Sequence, residues 1–285
     1  MSTSSWVAIV ALYPVIVLVG LTNTVGYHRL LTHGSFKTKK WLRYAITFVC
    51  AQYSGSPMAW VGAHRVHHTI SDTEGDPHTP VRGFWFAHCG WLFGGVKNPV
   101  LCILFALSGF GLQLRFFVVD IRRILGKVKP TWRTMTRDLG KERFMRALDV
   151  PLVISACFAA QVAAAWFLGG WWGIAWLWLV HVVLNNATWA VNSICHWPGM
   201  GTRPHETRDR SRNVAWLAIV THGESHHNAH HKHPRSARHG IDGGHDLSWT
   251  VIRGLSKIGL AWDVQLPVVR APKNAPAATL VEQPE

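Results

Sequence analysis

At 285 residues, 48% hydrophobic and with a mean hydropathy of +0.11, the chain points away from a purely soluble enzyme, and its sixteen Trp suit helices with aromatic belts at membrane-water interfaces. Its five cysteines (Cys50, Cys89, Cys102, Cys157, Cys195) are odd in number and form no C-x-x-C pair, which excludes a disulfide framework and a zinc knuckle. The net charge of +14 comes without a nucleic-acid motif, and its basic residues flank apolar segments, so nucleic acid gives way to anionic lipid, an acidic electron donor or a phosphate-bearing substrate.

Residues 6–27 are apolar enough to span a bilayer as one helix, which needs about 20 such residues. No basic stretch precedes them, so they are read as a membrane helix and not as a cleaved leader. Arg29, Lys37, Lys39, Lys40 and Arg43 follow closely and put the next segment in the cytoplasm. His28 and His33 stand here, five apart. On an α-helix that spacing separates two rings, so His28 is expected to end the helix and His33 to reach back from the next turn.

Residues 42–61 are interrupted by Gln52, Ser54, Gly55, Ser56 and Pro57, and they read as a buried or interfacial helix. Next comes His64-Arg65-Val66-His67-His68. Residues 99–119 are again apolar, but ten Lys or Arg between Arg115 and Arg146 favour a surface-lying or re-entrant segment over a crossing. Residues 148–168 and 171–196 form an expected transmembrane hairpin about the uncharged Gly169-Gly170, flanked by Trp171 and Trp172. Its second helix, roughly 39 Å long at 1.5 Å per residue, exceeds a hydrocarbon core of about 30 Å. Its last turns, with Asn192 and His196 one turn apart, are therefore delivered to the cytoplasm.

The cluster His227-Asn228-Ala229-His230-His231 repeats the H-x-x-H-H spacing of His64 to His68. Offsets of i, i+3 and i+4 bring three imidazoles onto one helix face, where they can converge on a metal. A lone histidine is more often structural or exposed. Three spaced clusters reverse that expectation, and they exceed what one tetrahedral ion needs, so two ions are the economical reading. His233, His239 and His245 read as surface or supporting residues, and residues 271–285 as a disordered tail after an integral-membrane domain over 1–270.

The chain resembles the membrane-bound fatty-acyl desaturases, and more closely their stearoyl-CoA (delta-9 acyl-CoA) branch. The resemblance rests on Gly26-Tyr27-His28-Arg29-Leu30 with His33, Ala63 to His68, Asp76-Pro77-His78, Gly90-Trp91-Leu92, Asn186-Ala187-Thr188-Trp189, Val191-Asn192-Ser193 with His196, and Gly223-Glu224 ahead of His227 to His231. It covers residues 6–265.

The resemblance implies an all-α membrane protein whose cytoplasmic helical cap holds a di-iron centre. Its ligands would be His28, His33, His64, His67, His68, His196, His227, His230 and His231, with Asn192 acting through water and His78 and Glu224 supporting ligand rings. It also implies O2 as co-substrate, a long-chain acyl substrate, and a separate ferredoxin-like or haem electron donor with its reductase. The site would face the cytoplasm, at the inner membrane if the cell is bacterial. The family places two membrane helices before its first histidine cluster, whereas one is visible here. The start is thus either truncated or part of a three-crossing fold. Positions that are basic in the CoA branch hold Val61-Gly62-Ala63 and Phe93-Gly94-Gly95, so the acyl carrier stays open among CoA, carrier-protein and phospholipid esters.

Leu12 and Ile16, one turn apart on the first helix, are expected to limit acyl length. Abstracting hydrogen from a methylene exceeds any acid-base side chain and calls for a metal-borne oxidant. A hydroxylase on the same metals is the nearest alternative. A non-enzymatic membrane metal-binding or transport protein is the alternative from another class, although only His181 sits mid-helix.

Overall fold

The structure, a computed structural model, describes residues 14–129 and 134–267. Leu12, the start of the helix expected over 6–27 and the tail expected over 271–285 lie outside them. The described chain is mostly helical, as the resemblance implies.

The first helix does not stop at Tyr27. Residues 14–21 are α-helical, and the chain then widens into a π-helix, α1 (Thr22–Thr32). The His33 N–H donates to the His28 carbonyl at 3.2 Å. That i→i+5 ladder corrects the expectation for this pair: a spacing that separates rings on an α-helix brings them together, edge to face, on a π-helix, a form concentrated at functional sites. The two imidazoles lie 4.9 Å apart, centroid to centroid.

The segment read as one helix over 42–61 is two, α2 (Lys40–Ser54) and α3 (Pro57–Ile70). Gly55 adopts φ +80°, which L side chains avoid, and a Cβ there would meet the Phe116 ring at 2.5 Å. Ser56 caps the new helix by accepting the Ala59 N–H, and Pro57 occupies the first turn, where no backbone donor is needed. A short antiparallel pair, β1 (Lys37–Thr38) with β2 (Ala261–Trp262), ties the segment after residue 260 back to the loop after α1.

α4 (Phe84–His88) leads to α5 (Pro99–Leu107) and α6 (Gly111–Ile124), which bend 99° from one another about Gly109. α7 (Arg143–Ala147) precedes the longest element, α8 (Val153–Ser193). Gly170 breaks α8 with φ 54° and ψ −135°. Ring pairs symmetric about the break meet, Trp166 with Trp171 at 5.1 Å and Phe158 with His181 at 5.5 Å, so α8 is an antiparallel hairpin that turns where Gly169-Gly170 predicts. The residues at its tip, Phe167, Leu168, Trp171 and Trp172, are each at least 76% exposed.

Among the described residues, only the run Val153–His196 is by itself long and apolar enough to cross a membrane, and the bent α5–α6 pair meets that test only when counted as one broken span. α9 (His227–Lys232) and α10 (Leu247–Lys257) are the last of the described helices. The main core packs Val25, Tyr27, Leu30 and Leu31 of α1 against Cys50 and Ala51 of α2, Val61 of α3, Val180 and Leu184 of α8, and Ile252 of α10. Burying each large side chain contributes about 1.5–3 kcal/mol, so the helices that carry the histidines are locked to one another.

Candidate metal centre

Nine histidines from four places in the chain meet in one buried region. His28, His33, His64, His68 and His230 form one set and His67, His196, His227 and His231 a second, with the ligand atoms in each set within 4.8 Å of one another. Each H-x-x-H-H cluster is split between the sets, which corrects the expectation that its three rings share one metal. Three and four residues of α-helix correspond to about 300° and 400° of rotation, so the i+3 ring points about 100° away from the i+4 ring. α3 gives His64 and His68 to the first set and His67 to the second. α9 gives His227 and His231 to the second and His230 to the first.

Arg65, inside its own cluster, fixes how α3 meets α1. It donates to the Leu31 and Thr32 carbonyls at the end of α1 and forks onto Asp138 at 2.8 and 2.9 Å. His196 arrives on a 3₁₀ turn that closes α8.

Carboxylates set the tautomers. Nδ1–H of His67 donates to Asp76 at 2.9 Å, that of His231 to Asp209 at 2.7 Å, that of His196 to Asp72 at 3.2 Å, and that of His28 to Glu224. An ionised carboxylate only accepts, so each of these rings turns a bare Nε2 lone pair inward. Those lone pairs face other imidazole nitrogens, His67 to His231 at 3.3 Å and His28 to His230 at 3.1 Å, and Nε2 of His196 has no hydrogen-bond partner. Converging lone pairs repel one another unless a cation sits among them.

Burial, reinforced by the neighbouring rings, pushes His33, His64, His67, His68, His227 and His230 well below their ordinary pKa, which keeps them in the neutral form that ligates metal. The donor set therefore fits two cations of the imidazole-loving kind, iron included.

Glu224 sits in a second buried network. Burial opposes its charge, but His28, Arg29 and His239 outweigh that and hold its carboxyl well below the usual range. The Arg29 guanidinium, fully buried, bridges Glu224 at 3.0 Å and Asp246 at 2.9 Å. Asp246 also caps α10 through the Trp249 N–H.

The chain matches the fatty acid desaturase family over residues 4–250. The chain belongs to that family. This desaturase is 37% identical to "Delta-9 desaturase-like 2 protein" of Arabidopsis thaliana, with 88% of this chain and 76% of that protein covered. It is 34% identical to "sn-1 stearoyl-lipid 9-desaturase" of Synechocystis sp., over 95% of this chain and 76% of that one. It is also 34% identical to "Acyl-CoA C20 Delta5-desaturase" of Anemone leveillei, over 93% and 76%. It is accordingly an enzyme, an oxidoreductase.

The remaining sequence-predicted residues fall around the two histidine sets of the desaturase. Asn192, half-buried, lines two clefts that share Trp60, His64 and Thr188. The His78 ring lies 4.3 Å from that of His67. Ile16 packs on the core, and the residues of the first helix that reach a cleft are Gly20, Asn23, Thr24 and His28. His181 sits between Phe110 and Phe158, apart from both sets.

Sequence reasoning gave no role to Asp72, Asp76 and Asp209. Asp76 stood in a quoted motif, and Asp72 four residues before it in the same loop, but Asp209 carried no signal. His239 is a supporting residue and not a surface one: it is buried, with Nδ1 3.2 Å from Glu224.

Proposed function

We propose that this desaturase introduces a cis double bond into a long acyl chain, delta-9-like in position, using two iron ions and O2. His28, His33, His64, His68 and His230 would hold one ion, and His67, His196, His227 and His231 the other, with Asn192 contributing through water. Bound iron supplies the oxidising power that removing hydrogen from an unactivated methylene requires, which no side chain of the protein has.

The protein's own residues do the rest. Asp72, Asp76, Asp209 and Glu224 hold four rings in the ligating tautomer. Trp60 and Thr188 wall both clefts beside His64, along the line an acyl chain would take, and Asn192 lines the same clefts. Chain-length control by Leu12 and Ile16 belongs to this reading, and substituting both by Ala with unchanged product length would remove it.

The first helix and the two arms of α8 would cross the bilayer, with α2 and the α5–α6 elbow at its surface and the histidines on the cytoplasmic side, at the inner membrane if the cell is bacterial. A separate ferredoxin-like or haem donor with its reductase would deliver two electrons, steered by the basic surface that the +14 net charge provides. The names of the relatives support a lipid-borne or CoA-borne acyl substrate.

The observation that carries the reading is the two carboxylate-oriented imidazole sets, their bare nitrogens turned toward one another, in a chain of this family. Expression in a desaturase-deficient host, with double-bond positions read in its lipids and iron counted on the purified protein, tests it. New monounsaturated chains and about two irons per protein are expected. Hydroxylated products carrying oxygen from labelled O2, or a protein with no iron and no product, would overturn it.

A further inference from the structure

The cleft that passes His64, His78 and Asn192 is closed on another side by α6, which contributes Leu112, Arg115 and Phe116. Around Arg115 the lining is apolar, with Trp91, Leu92 and Trp189. Its Nε–H donates to the Leu92 carbonyl, which orients the guanidinium. Among the described residues, neither Nη group has a hydrogen-bond partner and no carboxylate pairs with Arg115. Arg29, the fully buried arginine, has two. Arg115 is half-buried, so its free N–H groups stay accessible while apolar side chains flank them, and a guanidinium so placed gains from an anion that joins it. An oriented fork with free N–H groups matches the oxygens of a phosphate.

The outward face of the same elbow is apolar. Leu114, Phe117, Val118 and Ile121 of α6, and Val100, Leu101, Leu104 and Leu107 of α5, are exposed. A stripe at i, i+3, i+4 and i+7 on α6 suits the acyl boundary of a membrane, which puts Arg115 where a headgroup adjoins the cleft.

Resting on the desaturase reading above, we propose that Arg115 grips a phosphate of the acyl carrier, so that the substrate is a phosphate-bearing acyl ester and not a galactolipid. The phosphate belongs either to a phospholipid headgroup or to the phosphates of a CoA-type thioester.

The test measures equilibrium binding of dipalmitoyl-phosphatidylglycerol, palmitoyl-CoA and dipalmitoyl-monogalactosyldiacylglycerol to the purified full-length protein, as wild type, Arg115→Lys and Arg115→Gln. Hydrogen bonds between charged partners are worth about 1.5–3 kcal/mol, so Arg115→Gln should weaken the phosphate ester about 10- to 100-fold and Arg115→Lys less, with the galactolipid unmoved. Loss confined to phosphatidylglycerol assigns the site to a phospholipid; loss confined to palmitoyl-CoA assigns it to the thioester. Equal weakening of all three probes, or of none, overturns the proposal. Thermal unfolding of each variant separates lost binding from lost folding, and Arg115→Lys keeps the test open if Arg115→Gln does not fold. Double-bond formation is scored separately: an inactive wild type that still prefers phosphate esters sinks the catalytic reading and leaves the Arg115 assignment standing.

Discussion

Replacing Asp209 by Asn changes one atom and should cost one of the two ions most of its affinity. Oδ2 accepts Nδ1–H of His231 at 2.7 Å, while Oδ1 accepts the Ser211 N–H at 2.8 Å and the Thr207 hydroxyl at 3.1 Å. An amide has one acceptor oxygen for these donors. The Ser211 backbone N–H cannot turn away, whereas an imidazole can move its proton, so the amide oxygen stays with Ser211 and its NH2 faces His231. The His231 proton then shifts to Nε2, the nitrogen that lies 3.0 Å from Nε2 of His227 and points at the second set. Ligation requires that proton to return against a donor. Loss of such a supporting partner typically lowers metal affinity 10- to 100-fold, or about 1.4–2.7 kcal/mol.

Competition of the purified protein against a chromophoric chelator reads this directly. Adding His231→Ala to the Asp209→Asn variant should give a loss close to that of His231→Ala alone, because the two act through one ring. Two ions held with wild-type affinity by Asp209→Asn would refute the tautomer argument, and additive losses in the double variant would refute the shared route.

Three further outcomes follow from the same geometry. His64→Ala and His67→Ala, three residues apart on α3, deplete different ions, so metal titrations of the two variants should each retain one tight site and the double variant neither. Arg29→Met leaves Glu224 and Asp246 buried without their cation, which should destabilise the protein by about 3–5 kcal/mol, read as a lowered thermal midpoint. The buried histidines bind protons less readily folded than unfolded, so below their ordinary value of 6.5 the unfolded state takes up protons first. Metal-free protein should therefore lose stability as pH falls through that value, by up to about 1.4 kcal/mol per pH unit for each such ring. A thermal midpoint that stayed level between about pH 7 and about pH 5.5, a window that spans the ordinary imidazole value, would contradict the buried-neutral description.

Much of this was legible in the chain itself, because periodicity and spacing are local. The α8 hairpin shows as two apolar runs about Gly169-Gly170, and the repeated H-x-x-H-H spacing marks both α3 and α9. What was not legible depends on contacts far apart in sequence. The π-helical winding of α1 leaves no local signature, so the five-residue step from His28 to His33 was read on the wrong helix. The Gly55 break depends on the approach of Phe116 from α6. Asp209 lies 22 residues before His231, on a loop whose path only the fold determines.

The splitting of each H-x-x-H-H cluster has a consequence for the whole centre. A helix can offer its i and i+4 rings to one point and its i+3 ring to another, so a single helix builds neither site. Two such helices facing one another build most of both, each completing what the other leaves short, and this couples the two sets to one packing arrangement. The first set then takes His28 and His33 from α1, while the second takes only His196 and remains one imidazole poorer. Asn192 stands one turn before His196, on the wall of the clefts where an acyl chain would lie. The asymmetry of the two sites thus follows from which helix supplies the remaining rings.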